Sequence, residues 1–578
     1  VAKKNIIIVG GGLAGLMAAV RAAEQNFRVD LVSMCPVKRS HSVCAQGGIN
    51  AAVNTKGEGD SPWEHFDDSI YGGDFLANQT PVKEMCENAP AVIYMFDRMG
   101  VMFNRTPEGF LDFRRFGGTK HHRTAYAGAT TGQQLLYALD EQVRRHEAAG
   151  LVRKLENWEM LSVLQGSDGR CRGIVAVDLA SGEVRALKGS AVILATGGPG
   201  LVFDKSTNSM LNTGAAVAAA YRQGALYANG EFIQVHPTAI PGTDKLRLMS
   251  ESARGEGGRV WVPRNGKPWY FLEEKYPAYG NLVPRDIATR EIFDVCVNQG
   301  LGVDGKLQVY LDVSHIPAHE LEIKLGGILE IYRKFTGEDP SKVPMKVFPA
   351  VHYSMGGLWI DFAHMTNIPG LLAAGECDYQ YHGANRLGAN SLLSCIHGGQ
   401  VAAKTAMRHA QGGEEPDEET FFASQVKRHR DELEALARLD GPENPFLLHA
   451  ELGDVMTKAC TVVRYNNQLD DCLETITSLR DRYRRVGVAD AGQRANQSLH
   501  FVRRLDLMFD LAQIIAKGAR LRDESRGAHY KPDFPDRDDQ RFLKTTLARW
   551  TPDGPEITYE EVDIQYIQPR ERKYDVDK

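Results

Sequence analysis

Residues 5–15 read NIIIVGGGLAG, and residues 16–33 continue LMAAVRAAEQNFRVDLVS. Asn5 to Val9 is a short continuous apolar run that leads straight into a glycine cluster. Leu16 to Gln25 is rich in helix formers, and Phe27 to Ser33 is a second apolar run. Strand, glycine turn, helix and strand in that order predict a βαβ unit. Gly10, Gly12 and Gly15 fit the G-x-G-x-x-G spacing. The first glycine permits the turn, the second lets backbone approach a pyrophosphate, and the third lets helix and strand pack closely. The other reading is a glycine-rich turn in a different α/β fold. Ser33 stands where an acid on the second strand would usually bind a ribose, which weakens a generic NAD assignment and leaves ribose recognition open.

Two later stretches repeat the strand-then-glycine pattern, AVILATGG at 191–198 and LLAAGE at 371–376. In flavoprotein folds of the two-dinucleotide type a late strand brings backbone and a carboxylate to the cofactor, so Glu376 is the candidate for the ribose. The expected fold is α/β: a split Rossmann-like FAD-binding domain over 1–236 and 351–410, with an inserted α+β capping domain over 237–350. A helical domain over 411–535 and a small C-terminal domain over 536–578 follow. Gln411 to Glu419, QGGEEPDEE, reads as an acidic surface linker. Phe421 to Leu439 and Val455 to Tyr483 have helical spacing, and Glu556 to Val562 is strand-like. The basic group Arg480, Arg482, Arg484 and Arg485 reads as a solvated face, with partner binding as the other possibility.

Composition narrows the class. At 578 residues the chain is several times the length of a typical ~150-residue domain. Apolar residues at 43% and charged residues at 25% are ordinary for a globular protein and exclude a disordered chain. A net charge of −6 lacks the basic footprint of a nucleic-acid binder, so no nucleic-acid partner is expected. Nine cysteines contain no CxxC pair, so no metal site and no iron–sulfur ligand run is assigned, and a reducing compartment is expected. No apolar run reaches the ~20 residues of a membrane span, and the Val-Ala-Lys-Lys start carries no secretory pattern, so the chain is expected to be soluble by itself.

Seven further segments point the same way. They are RSHSVCAQGGIN (39–50), FRRFGGTKHHRTAYAG (113–128), QVHPTAI (234–240), SESARGEGGR (250–259), PRD (284–286), VHYSMGG (351–357) and HGANRLGANSL (382–392). With them the chain closely resembles the flavoprotein subunit of succinate dehydrogenase and fumarate reductase, that is, of complex II. The resemblance runs from Asn5 through ESRGAH (524–529) into the tail. It is nearest the bacterial type that works with menaquinone and a diheme cytochrome b anchor.

The resemblance implies succinate oxidised to fumarate, with fumarate reduction as the alternative because direction is not encoded in these motifs. L-aspartate oxidase shares the fold and the arginine base but lacks the R-S-H motif, and a non-catalytic flavin carrier would not need this set of residues. It implies FAD bonded covalently to His41, which raises the flavin's potential. It implies Arg285 as acid/base, with Glu251 and Arg254, three apart on one helical face, as the proton pathway and Asp286 orienting Arg285. Arg386 would clamp a carboxylate, His236, His352 and Ser250 would donate to the dicarboxylate, and Phe116 would pack on its central carbons. Further cofactor contacts are implied at Gly10, Gly12, Gly15, Ser33, Lys38, Ser40, Gly47, Gly48, Glu376, Arg386, Ser391 and Leu392. Ala215 follows Asn212-Thr-Gly214 where related enzymes often carry Asp, which puts one contact in doubt. Iron–sulfur clusters and heme would sit only in partner subunits. The expected partners are an iron–sulfur subunit, a membrane cytochrome b anchor and a quinone, with this chain held peripherally on the cytoplasmic face of the cell membrane.

Overall fold

The structure, a computed structural model, describes residues 4–242, 246–412 and 418–575. The chain opens on β1 (Asn5–Val9), α1 (Leu13–Glu24) and β2 (Arg28–Ser33). α2 (Pro62–Gly72), β3 (Val152–Glu156) and β4 (Ala191–Leu194) follow. β5 (Ile233–Ile240), α3 (Arg285–Phe293) and β6 (Met345–Ser354) come before β7 (Leu371–Ala373) and α4 (Asn390–Ala410). The order β7-β4-β1-β2-β3 forms one parallel sheet, so distant parts of the chain share one layer. Ile6, Ile7 and Ile8 of β1 are fully buried, as a central strand covered on both faces requires.

α1 starts at Leu13 rather than Leu16, because Gly12 already takes the extended N-cap conformation. Two glycines make the βα turn possible. Gly10 has φ +117°, and a side chain there would meet the Ala195 carbonyl at 2.0 Å. A Cβ on Gly15 would meet the Gly10 carbonyl at 1.9 Å, so the third glycine of the motif serves packing. On the far side α4 crosses α1 closely, since a Cβ at Gly399 would lie 2.5 Å from the Ala14 carbonyl. β5 and β6 pair antiparallel at the centre of a separate six-stranded sheet, and α3 packs on it: Thr289 donates to the Val235 carbonyl at 3.1 Å.

The later part is helical: α5 (Glu419–Ala437), α6 (Pro445–Ala459), α7 (Asn466–Tyr483) and α8 (Gln497–Leu521). The run expected from Val455 to Tyr483 is therefore broken. Between α6 and α7 the buried Arg464 turns inward and donates to the carbonyls of Cys460 (2.9 Å) and Glu231 (2.7 Å), which a continuous helix would not allow. The centre of the acidic linker, 413–417, lies outside the described residues. The basic group is engaged within the chain: Arg480 pairs with Asp510, Arg482 with Glu443 and Glu451, Arg484 with Asp481 and Arg485 with Glu443. β8 (Lys544–Arg549) and β9 (Glu556–Glu561) form a hairpin near the end.

Candidate active site

A cavity of about 640 Å³ runs from the ends of β1 and β2 to the β5–β6 sheet. Gly10, Gly12 and Ser33 line one end, and Phe116, Ser250, Glu251, Arg285, His352 and Arg386 line the other. Ser40, His41, Gly47, Gly48, Glu376, Ser391 and Leu392 also line it. Two helices, α1 and α4, begin at this cavity, and neither N-cap residue supplies a side-chain cap. Their N-terminal amides and dipoles favour negative charge there. Gly47 has no room for a side chain, because its Cβ would meet the Phe116 ring at 2.7 Å.

Of the expected cofactor contacts, Lys38 and Gly15 do not line the cavity. Lys38 turns to Asp140 (3.6 Å) and lies over the Tyr137 ring. Ser33 donates to the Cys35 carbonyl at 2.7 Å. Glu376 is half-buried at the cavity wall and accepts from the Ser354 amide at 3.1 Å; desolvation pushes its pKa up to about 7. Ala215 opens a short helix whose N-cap, Gly214, supplies no side chain, and the Ala215 amide donates to the Thr213 hydroxyl at 3.2 Å.

At the inner end the charges interlock. Arg285 donates from Nε (2.9 Å) and Nη2 (2.6 Å) to Glu251 Oε2, and from Nη1 to Gln234 Oε1 (3.0 Å). The other Glu251 oxygen accepts from Arg254 Nη2 (3.1 Å) and the Gly117 amide (3.0 Å). Burial works against charge on Glu251, but Arg285 and Arg254 hold its pKa below the usual carboxylate value. Burial, only partly offset by Glu251, lowers the pKa of Arg254. Arg254 also donates to the Asn281 carbonyl (2.8 Å) and borders a second, more open cleft lined by Arg115, His122, Glu256 and Lys324.

Asp286 makes no hydrogen bond to the Arg285 side chain, so it does not hold that guanidinium by direct contact as the sequence reading expected. It faces the other way and pairs with Arg290 (3.3 Å) and Arg572 (2.9 Å), because successive helix residues project about 100° apart. Gln234 takes the orienting place. Its signal was present in QVHPTAI, though nothing in that string distinguished it from a structural glutamine.

Arg386 is fully enclosed and lies over the Tyr353 ring, with its centre 4.3 Å from the ring centroid. Burial and Arg285 lower its pKa to about 9. His236 and His352 meet edge to face at 5.1 Å. Burial, then Arg285 and neighbouring cations, hold both well below the ordinary histidine value, so both are neutral at pH 7 without an anion. The Thr238 amide donates to His236 Nδ1 (3.2 Å), which leaves the proton on Nε2 in this network. His352 Nδ1 bonds the Thr207 hydroxyl at 2.6 Å, a partner with no sequence signal. Ser250 bonds Ser252 at 2.9 Å.

The fit to a flavin dinucleotide rests on this donor set. Ser40 Oγ and Arg386 Nε are buried at the cavity with no hydrogen-bond partner inside the protein, as is His236 Nε2 behind it. Such groups are costly unless a polar ligand meets them. The glycine-lined turn and two helix N-termini suit a pyrophosphate and a ring system that gains negative charge on reduction.

A dinucleotide cavity that ends on buried arginines and neutral histidines defines an FAD-dependent oxidoreductase. The FAD binding domain model matches residues 5–392, and the model for the fumarate reductase flavoprotein C-terminus matches 449–574. The chain is 63% identical over 577 residues to the succinate dehydrogenase flavoprotein subunit of Bacillus subtilis, covering 99% of this chain and 98% of that protein. It is 33% identical to the fumarate reductase flavoprotein subunit of Escherichia coli, covering 99% and 96%. Its structure superposes on a variant of the E. coli quinol fumarate reductase with TM-score 0.93 at 32% identity, covering 100% and 99%. The chain belongs to the succinate dehydrogenase and fumarate reductase flavoprotein subunit family. The resemblance and the α/β fold class stated above agree with this.

Proposed function

We propose that this chain oxidises succinate to fumarate as the flavoprotein subunit of a membrane-bound complex. The observation that carries the reading is the buried Arg285–Glu251–Arg254 chain facing Arg386 across one cavity. Arg386 holds one carboxylate, and Nε2–H of His236, His352 and the Ser250 hydroxyl serve the dicarboxylate as donors. Binding a dianion here raises the pKa of the two histidines and offsets the mutual repulsion of the arginines. Phe116 packs on the central carbons and excludes water.

Oxidation removes a hydride from one central carbon and a proton from the other. FAD supplies the hydride acceptor, and His41 is its covalent attachment point. Arg285 takes the proton. As Arg285 takes the substrate proton it hands one of its own to Glu251 Oε2, so no extra proton accumulates on the guanidinium. The Nη2–Oε2 hydrogen bond leads the proton from Arg285 to Glu251, and Arg254 leads on to the outer cleft. The same path run backwards serves fumarate reduction, and the relatives named fumarate reductase favour keeping that reading second.

The electrons need an exit. We read an iron–sulfur subunit, a cytochrome b anchor carrying heme and a quinone, with menaquinone as the acceptor, as the remaining parts. Solved neighbours named for quinol:fumarate reductase with menaquinol and for Sdh1 support such an assembly. No helix among the described residues is long and apolar enough to cross a membrane; we read the chain as held peripherally, through its partners, on the cytoplasmic face.

The test is a titration of the flavin spectrum in the holoprotein with succinate and, separately, L-aspartate. Bleaching by succinate alone supports the reading; bleaching by aspartate alone moves the chain to the oxidase.

A further inference from the structure

Near the end of the described residues, Arg570, Glu571, Lys573 and Asp575 are exposed, but the side chains of Arg572 and Tyr574 turn inward against the elements that hold the proton chain. Arg572 Nη1 donates to Asp286 Oδ2 at 2.9 Å, and Nη2 to Oδ1 at 3.3 Å. Both side chains are nearly enclosed, at 7% and 1% exposure. Asp286 sits in the first turn of α3, one residue after Arg285. Arg572 Nη1 also reaches Asp74 Oδ2 at 3.4 Å, just beyond α2 on the flavin side. Burial works against the Arg572 charge, yet Asp286, Tyr574 and Asp74 hold its pKa well above the ordinary arginine value.

Asp74 is itself fixed from several directions. Arg537 pairs with it at 2.8 Å, the Gly527 amide donates to Oδ2 at 2.8 Å, and Arg526 donates to its carbonyl at 3.0 Å. Asp74 and Phe75 both have left-handed φ, +54° and +61°, a strained pair that persists only where the surroundings enforce it.

The tail touches the other end of the proton chain as well. Tyr574 is 3% exposed and packs edge-on against Tyr279, centroids 5.0 Å apart. Tyr279 begins the turn whose Asn281 carbonyl accepts from Arg254. On the flavin side Tyr574 meets Tyr71 of α2 at 5.5 Å, and the Tyr71 hydroxyl donates to the Lys573 carbonyl at 3.0 Å.

We propose that Arg570–Tyr574 is a strap that sets the inserted segment against the flavin domain, and that Arg572, through Asp286, is a positioning residue for Arg285. The proposal rests on Arg285 being the acid/base group. Nothing in the strap touches substrate. It acts by fixing the first turn of α3 through Arg572 and the Arg254 turn through Tyr574. A misplacement of about 1 Å caused far from the chemistry can cost ~10²-fold in rate.

The experiment compares R572Q, R572K, D286N and the R572Q/D286N double variant in the assembled holoenzyme. Expected for R572Q is a fall in kcat of about 10- to 100-fold with the succinate KM within about threefold and full flavin content, the signature of lost alignment rather than lost binding. R572K recovers part of the loss, since an ammonium can pair with Asp286 without the fork. D286N alone resembles R572Q, and the double variant is no worse than either, because residues in contact are not additive. Amide exchange of the first turn of α3 is measured in parallel and rises in R572Q and D286N. That readout separates the two readings: faster exchange in an enzyme that turns out not to use succinate supports the strap while the substrate assignment fails. Unchanged kcat and unchanged exchange in R572Q overturn the proposal, as do effects of R572Q and D286N that add independently. Should R572Q not accumulate, R572K and D286N carry the same test.

Discussion

Replacing Glu251 with Gln tests the proton chain where its chemistry is concentrated. Glu251 takes four donors on two oxygens: two from Arg285 on Oε2, and Arg254 and the Gly117 amide on Oε1. Gln keeps the shape but offers one oxygen and an NH2 group. Whichever way it turns, one pair of donors faces donors. Two buried cations also lose their common anion, and breaking such a buried pair costs about 3–5 kcal/mol of stability. An amide cannot take up and release the proton, so the acid–base contribution of about 10²–10⁴-fold in kcat is lost. Arg386, His236 and His352 stay in place, so the succinate KM shifts less than about threefold. Because the pKa of Glu251 is depressed in the fold, its ionic stabilisation is present above the unfolded carboxylate value near ~4.3 and is lost as pH falls through the folded value. E251Q therefore lacks that component of acid unfolding. The assay is steady-state turnover with an artificial electron acceptor on the holoenzyme, with flavin content measured on the same sample. A kcat within about threefold of wild type at full flavin content refutes the proton chain, since it leaves no room for a ~10²-fold effect.

His41→Ser is expected to abolish flavin fluorescence in the denatured, acid-precipitated band while FAD still binds, with succinate oxidation lost more than fumarate reduction; a band that stays fluorescent refutes the linkage. Gly15→Ala places a methyl group 1.9 Å from the Gly10 carbonyl, and the overpacked turn is expected to cost about 1–3 kcal/mol and lower flavin occupancy, read by thermal unfolding and absorbance. Arg386→Lys loses the planar fork, so the succinate KM is expected to rise at least about tenfold in steady-state kinetics. Glu159, bonded by Arg503 and Arg504, has its pKa lowered to about 2 against the cost of burial. It contributes about 3 kcal/mol that is complete above the unfolded value of ~4.3 and lost as pH falls through ~2. Acid unfolding of E159Q against wild type measures this.

The features legible from sequence are those that a local string can specify. Gly10, Gly12 and Gly15 were readable because a βα turn against a phosphate needs backbone that other residues cannot adopt. The roles suggested for Arg285 and Glu251 came with the family resemblance, but the Gln234 contact did not. Glu251 lies 34 positions earlier and Gln234 51 positions earlier, joined only by the fold. Direct contact between Asp286 and Arg285 was wrongly expected because adjacency in sequence suggested adjacency of side chains, whereas an α-helix turns neighbouring residues apart. Lys38 lies close in sequence to His41 yet turns to Asp140. The break at Cys460–Tyr465 was invisible because its cause is the distant Glu231 carbonyl. Arg572 carried no signal at all: a tail of alternating charges reads as solvated, and its burial depends on Asp74 and Asp286 from two other regions.

The central claim, that Arg285 is the group exchanging the substrate proton, is tested most directly by Arg285→Gln in the holoenzyme. The account predicts that turnover disappears while flavin content and the spectral shift on adding succinate persist, because binding rests on Arg386 and the histidines. Normal turnover in that variant would contradict it.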